Sequence, residues 1–162
     1  MHKFDRHTAL AQWFYYQTYG ADKKINNQQK LHYLRLLLSC ASADGKVSEG
    51  EMNYFIGAAL ARGCTDEMIT SLINDPLVSD LSFEANEFIQ ANPAAKMSDL
   101  LSLLYSAMQV CAADGVYAEE EVNAIRKLSV KLGVSAQDLI KVEDFFTKEL
   151  ALKKEAHSLF VG

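Results

Sequence analysis

The sequence predicts an all-α protein, a compact bundle of about seven to eight helices. Apolar residues recur at helical spacing along most of the chain, and no segment shows the strict alternation that is typical of a strand. Only two prolines occur, Pro76 and Pro93, and each lies between periodic segments, where it ends helices rather than kinking them. The 162 residues are enough to build one hydrophobic core, so we expect a single domain over 1–162.

Caps and apolar stripes set the predicted helix bounds in chain order. The first helix contains the aromatic run around Trp13, and the second carries a leucine stripe that includes Leu34. The third and fourth begin at the hydroxyl caps Ser48 and Thr65. A short acidic helix follows, then two helices around a second turn, and a last helix begins at Ser135. The predicted ranges are 8–19, 27–43, 48–62, 65–74, 80–91, 98–113, 118–132 and 135–154.

Charge and composition narrow the classes of partner. The net charge of −5 argues against binding to nucleic acid or to an anionic membrane, because both rely on basic patches. No apolar stretch is long enough to span a bilayer and no leader precedes the chain, so we expect a cytoplasmic protein without direct membrane insertion. Cys40, Cys64 and Cys111 have no metal-like spacing and lie among apolar neighbours, which favours packing as small hydrophobic side chains.

One stretch of the chain occurs twice. "SADGKVSEGEM" fills positions 42–52 and "AADGVYAEEEV" fills 112–122, in a fixed register. The repeat predicts two units, about 30–74 and 98–145, each built as helix, Ala-Asp-Gly turn, helix, glycine and helix, packed about an approximate two-fold axis. Over 43–63 and 113–133 the two copies agree at Ala43, Asp44, Gly45, Glu49, Glu51, Asn53 and Gly63.

Turn construction accounts for much of the repeated stretch. Gly45 is where a left-handed residue would end the preceding helix. Ser48 and Glu51 form the sequence pattern of a capping box, in which each side chain binds the other's backbone N–H. Glu49 lies in the first turn of the next helix, where the helix dipole favours an anion. These residues need no further function.

Two features of the repeat are not explained in this way. Asp44 and Asp114 follow the C-terminal ends of helices, where the dipole disfavours a carboxylate. In the second copy Ala118 replaces the capping hydroxyl, yet Glu121 is retained. Both features suggest a ligand for the carboxylates, either a divalent cation or a basic partner, and a purely structural role remains the alternative.

The predicted cation site is one that the two copies share. An ordinary EF-hand is not expected, because the first and third loop positions would be Cys40 and Ser42 in the first copy, neither of which is a carboxylate. Four hard oxygen ligands with water suit Ca²⁺, Mg²⁺ or Mn²⁺ rather than a thiol-binding metal. The predicted ligands are Asp44, Glu51, Asp114 and Glu121, with Glu49 and Glu119 as secondary candidates.

The repeated A-D-G-x-x-x-x-E-x-E pattern between apolar helices resembles the tellurite-resistance TerB family. It is also similar to the TerB-like domain of DjlA-type co-chaperones, although this chain has no J domain. The similarity covers about residues 30–145 and leaves out the aromatic N-terminus and the tail beyond Lys148. It implies a helical bundle of two related halves, acidic clusters that bind divalent cations, and a role in tellurite resistance or stress response through protein partners, including a membrane-bound Ter-type complex.

The N-terminal segment, 1–26, contains a dense aromatic run, "QWFYYQTYG". Neighbours on a helix point about 100° apart, so these side chains cannot all face one core. We expect Trp13, Phe14 and Tyr16 in the core, with Tyr15 and Tyr19 sharing a half-exposed face. The alternative is an aromatic surface used for a homodimer or for a small planar ligand.

The sequence contains no established catalytic motif. It has no nucleophile elbow, phosphate-binding loop or HExxH stretch. We therefore expect a non-catalytic stress-response module that acts through partners. Two alternatives stay open: a metal-assisted hydrolase that uses the paired carboxylates, and a helical module that binds a small ligand.

Overall fold

The computed structural model describes residues 3–75 and 80–162, and every regular element in these two ranges is an α-helix. The predicted all-α bundle of seven to eight helices is confirmed, while Pro76 lies outside the described residues. The eight helices are α1 Arg6–Tyr19, α2 Asn27–Ala41, α3 Glu49–Ala61, α4 Asp66–Asn74, α5 Leu81–Ala91, α6 Met97–Cys111, α7 Glu119–Lys131 and α8 Ala136–Phe160.

Helices α2 and α6 both end slightly earlier than predicted, at Ala41 and Cys111, and α8 extends beyond its predicted end to Phe160. After α2, the Gly45 N–H donates to Ser42 O at 2.9 Å, and after α6 the Gly115 N–H donates to the carbonyl of Ala112 at 3.1 Å. These tight turns replace the last part of each predicted helix. Helix α8 continues because no proline or glycine interrupts the chain before Gly162.

The sequence repeat corresponds to a repeat of helices. In the register of the repeat, α6 and α7 begin and end at the positions equivalent to the ends of α2 and α3, and α8 begins at the position equivalent to the start of α4. Helices α2 and α6 pack against each other at the centre of the molecule, and α2 also contacts α3, α4, α5 and α7. The connections after α2 and α6, which carry the Ala-Asp-Gly turns, therefore both emerge from this central pair.

The core is built mainly from leucines of the central pair. Truncating one such leucine to alanine typically lowers the free energy of unfolding by about 2–5 kcal/mol. An ion pair also joins α2 to α5, since the Arg35 guanidinium binds the buried carboxylate of Glu84 at 2.9–3.1 Å. The large, fully buried apolar side chains are Leu34, Leu36, Leu37, Leu38, Phe55, Leu103, Leu104, Met108, Ile125 and Leu128.

The prediction for the aromatic helix α1 was wrong in two of its three core residues. Trp13 and Tyr16 are 60% and 58% exposed, whereas Tyr15 is buried. The buried face runs through positions 7, 11, 14, 15, 18 and 19 and packs toward α3. It lies so close to Gly63 that a Cβ there would stand 3.1 Å from the carbonyl oxygen of His7. Phe14 lies on this inner face, as expected.

Within residues 3–75 and 80–162, none of the helices combines the length and the apolar character that crossing a bilayer requires.

Candidate functional site: the paired Ala-Asp-Gly turns

Each aspartate of the repeat caps its own turn. The Lys46 N–H donates to Asp44 Oδ1 at 3.1 Å, and the Val116 N–H donates to Asp114 Oδ1 at 2.9 Å. Asp side chains favour this type of local turn because they bind the backbone two residues on. The turn bonds offset the unfavourable helix dipole, so the position of these aspartates has a structural reason that the sequence argument missed.

The two glutamates of the repeat point inward. Glu51 is 3% exposed and Glu121 is 1% exposed. The Ser48 N–H donates to Glu51 Oε2 at 2.7 Å, while Ser48 Oγ accepts from the Glu51 N–H at 3.2 Å, which confirms the predicted capping box. The Ala118 N–H donates to Glu121 Oε2 at 2.9 Å. Glu121 thus keeps half of the box without a hydroxyl partner.

The two turns lie side by side. A Cβ added to Gly50, in the first turn of α3, would stand 2.9 Å from Asp114 Cβ and 3.1 Å from Asp114 Cα. Glycine at this position therefore permits the close approach of the second turn to the N-terminus of α3. The Val116 N–H and then the nearby Ser48 hydroxyl lower the pKa of the Asp114 carboxyl group.

The buried glutamates of the two copies form a pair. A protonated Glu121 carboxyl group lies within hydrogen-bonding reach of Glu51. Burial raises the pKa of Glu121 to about 8, and the hydrogen bond to Glu51 and the negative charges of Glu51 and Asp44 act in the same direction. The hydrogen bond from the Ala118 backbone opposes them. At neutral pH the pair therefore retains a proton, because two charged carboxylates in a desolvated site repel each other.

The predicted ligands divide into an inner and an outer group. Glu51 and Glu121 meet in the interior, and the charge of Asp44 reaches Glu121, whereas both aspartates and both secondary candidates, Glu49 and Glu119, are exposed. Across residues 3–75 and 80–162, no three His, Cys, Asp or Glu side chains converge on one point suited to a metal ion. Binding by all four ligands would require the aspartates to turn inward, and cation binding stays a prediction.

The family model for the tellurite resistance protein TerB matches residues 30–144 of this chain, well over half of its length. The chain belongs to the TerB family. The matched range begins within α2 and contains both turns and both buried glutamates of the pair. The resemblance inferred from the repeated motif is confirmed.

The structural likeness extends beyond the matched range of the TerB model. The crystal structure of a tellurite resistance protein from Nostoc punctiforme superposes with a TM-score of 0.78 at 26% sequence identity. The superposition covers 99% of this chain and 98% of that chain, so it takes in α1 and the end of α8. No curated protein matches the chain.

The cysteines of this TerB-family chain behave as predicted for packing residues. Cys40, Cys64 and Cys111 are all buried and free. Burial raises the pKa of the Cys40 thiol to about 12 and raises those of Cys64 and Cys111 as well. Since the thiolate is the reactive form, these thiols are poor nucleophiles in the folded protein.

Sequence reasoning missed one buried charge. Arg62 is 4% exposed and borders a cavity of about 160 Å³ beside the aromatic helix. A signal for it exists in the repeat register, where Arg62 corresponds to the buried Leu132 of the second copy. A charged residue in one copy at a core position of the other marks a place where the two halves differ in function.

Proposed function

We propose that this TerB-family protein acts in tellurite resistance and stress response as a non-catalytic, cytoplasmic cation-binding module. The cation would be Ca²⁺, Mg²⁺ or Mn²⁺, held by Glu51 and Glu121 with Asp44 and Asp114. The observation that carries the proposal is the buried pair of glutamates, one from each copy, which meet beneath the two adjacent turns. Family membership supports the physiological role.

The chemistry of the pair suits exchange of a proton for a cation. Each glutamate commits one oxygen, Oε2, to a backbone N–H and leaves Oε1 without a backbone partner. A divalent ion between the two carboxylates would replace the shared proton and cancel the repulsion that raises the pKa of Glu121. Carboxylate oxygens are the ligands that Ca²⁺ and Mg²⁺ prefer.

The location of the pair supports a role in signalling to partners. Glu51 and Glu121 begin α3 and α7, and each follows a turn that leaves the central helices α2 and α6. A change between proton and cation would therefore alter the contact between the two halves. The partners that we propose are proteins, including a membrane-bound Ter-type complex, and the exposed Trp13 and Tyr16 of α1 offer a surface for a second copy of the chain.

A calorimetric titration tests this function. Metal-free protein should bind Ca²⁺, Mg²⁺ or Mn²⁺ saturably and bind Zn²⁺ no better than these hard ions. At a hundredfold excess of free ion over the dissociation constant, binding should raise the free energy of unfolding by about 2.7 kcal/mol. The double variant Asp44→Asn with Asp114→Asn should lose this gain, because the amide oxygen still accepts the turn bond while the charge is removed.

The matched control is Asp66→Asn with Asp144→Asn, which removes the same charge from exposed positions away from the turns. It should bind the cation as the wild type does. Identical melting temperatures of the wild type in chelator and in each cation would contradict the proposal. In a strain that lacks the gene, the control should restore growth on tellurite better than the variant of the turns.

A further inference from the structure

A cavity of about 160 Å³ lies where the segment between α1 and α2 covers the ends of α5 and α6. Its wall combines aromatic rings with cationic and amide side chains, and it is far in character from the acidic turns. An open groove beside it shares Tyr15, Lys24, Lys30 and Arg62 with the cavity, so the cavity has an approach from solvent. The side chains that carry the argument are Tyr15, Lys23, Lys24, Lys30, Arg62 and Asp99.

Arg62 is a buried cation without a carboxylate partner. None of the ion pairs formed by residues 3–75 and 80–162 includes it. Its guanidinium donates to Ala58 O at 2.8 Å and to Ser106 Oγ at 3.0 Å, and it lies 4.7 Å from the centre of the Phe14 ring. Burial of a charge is costly unless an opposite charge compensates it. An anion in the adjoining cavity would supply that compensation.

The rim of the cavity adds positive charge. Lys23, Lys24 and Lys30 line it together with Arg62, and among the described residues Asp99 is the one carboxylate in its lining. Lys23 binds Asp99 at 3.3 Å, so that carboxylate is already paired. In a protein whose net charge is −5, this concentration of cations is a local reversal of sign. Such a reversal attracts small anions.

A second polar group in the cavity wall lacks a partner. Tyr15 is 3% exposed, and its hydroxyl forms no hydrogen bond with any described residue. Burial raises the pKa of this hydroxyl, so it stays protonated and remains a donor. Neighbouring hydroxyls are satisfied, since Ser102 Oγ donates to the Tyr19 hydroxyl at 2.8 Å. Arg62 and Tyr15 therefore both present donor capacity at one place.

We propose that this cavity binds a small aromatic acid, with the acid group on Arg62 and Tyr15 and the ring between the aromatic side chains. The volume supports a single ring, because a cavity of roughly 150 Å³ in another protein accommodates benzene. The ring would stack on Tyr19 or Tyr33 in the geometry that aromatic pairs prefer. This site is independent of the cation site at the turns.

Chemical-shift titration of the isotope-labelled protein tests the proposal with four probes. Benzoate and phenyl phosphate distinguish a carboxylate from a phosphate ester as the acid group. Benzamide is the neutral counterpart of benzoate, and inorganic phosphate is the anion without a ring. We expect at least one aromatic acid to shift the amides of residues around Tyr15 and Arg62 at millimolar concentration and to bind about tenfold more tightly than benzamide and inorganic phosphate.

Two variants and one control complete the experiment. Arg62→Met keeps the packing volume and removes the charge, and it should weaken binding of the acid about tenfold or more. Tyr15→Phe removes only the hydroxyl, and it should weaken binding several-fold even if the first variant fails to fold. The control Arg126→Met makes the same exchange at an exposed position and should leave binding unchanged. Absence of shifts with both acids, equal binding of benzoate and benzamide, or unchanged binding by Tyr15→Phe would overturn the proposal.

Discussion

Replacing Glu121 by glutamine isolates the electrostatic cost of the buried pair. Glutamine resembles the protonated glutamate, since its carbonyl can accept from the Ala118 N–H and its amide can donate to Glu51. The folded protein holds the Glu121 proton up to a pKa of about 8, whereas the ordinary value is 4.5. Between these two values the folded state binds more protons than the unfolded state, so the free energy of unfolding decreases as the pH rises.

The size of the effect follows from the shift. One pKa unit corresponds to about 1.4 kcal/mol, which gives an upper bound of roughly 5 kcal/mol for the whole interval. Relaxation of the site around a second charge reduces this figure, because effective dielectric constants in proteins are near 20 even at buried positions. We expect the wild type to lose about 2 kcal/mol relative to Glu121→Gln between about pH 5 and about pH 9, or about 4–8 °C in melting temperature.

Thermal melts in chelator at these two pH values measure the effect. Each comparison is between proteins at one pH, so carboxyl groups whose pKa is lowered, such as Asp114, contribute equally to both. Glu120→Gln, an exposed neighbour on the same helix turn, is the control and should follow the wild type. If Glu121→Gln shows the same pH dependence as the wild type, the argument for a protonated buried pair is refuted.

Three further results are expected. Gly50→Ala should destabilise the protein by about 1–3 kcal/mol, because its Cβ would meet Asp114, whereas Gly57→Ala in the same helix meets nothing within 4 Å and should stabilise it by about 0.5–1 kcal/mol; urea unfolding of the two variants checks this. Glu84→Gln should lower the free energy of unfolding by about 3 kcal/mol in the same assay, since it leaves the guanidinium of Arg35 without its buried carboxylate. The three buried thiols should react with a disulfide reagent only after denaturant is added, and fast reaction of the native protein would contradict their burial.

The sequence predicted the features that local chemistry determines. Helical periodicity placed the elements, and the hydroxyl caps placed the starts of α3, α4 and α8 to within a residue. The capping box at Ser48 and Glu51 was also readable, because its residues are close neighbours in the chain. The repeat then indicated that helices of the two halves would correspond, and their bounds do so in the register of the repeated motif.

Features that depend on tertiary contacts were not predictable in the same way. In α1, Leu10, Trp13 and Phe14 have apolar spacing that suits several faces, and only packing against the chain near Gly63 selected the face that buries Tyr15. The meeting of Glu51 with Glu121 was expected from the repeat, but the burial of both side chains was not. The cavity at Arg62 was invisible because its residues come from well-separated parts of the chain.

Anomalous diffraction from crystals grown with Mn²⁺ tests the central claim most directly. The account predicts one strong peak within ordinary coordination distance, about 2.0–2.6 Å, of carboxylate oxygens of both Glu51 and Glu121, with Asp44 or Asp114 turned toward it. Crystals of Glu121→Gln grown in the same way should lack the peak. A saturating concentration of Mn²⁺ that leaves this position empty, or that places the ion only on exposed carboxylates elsewhere, would contradict the account.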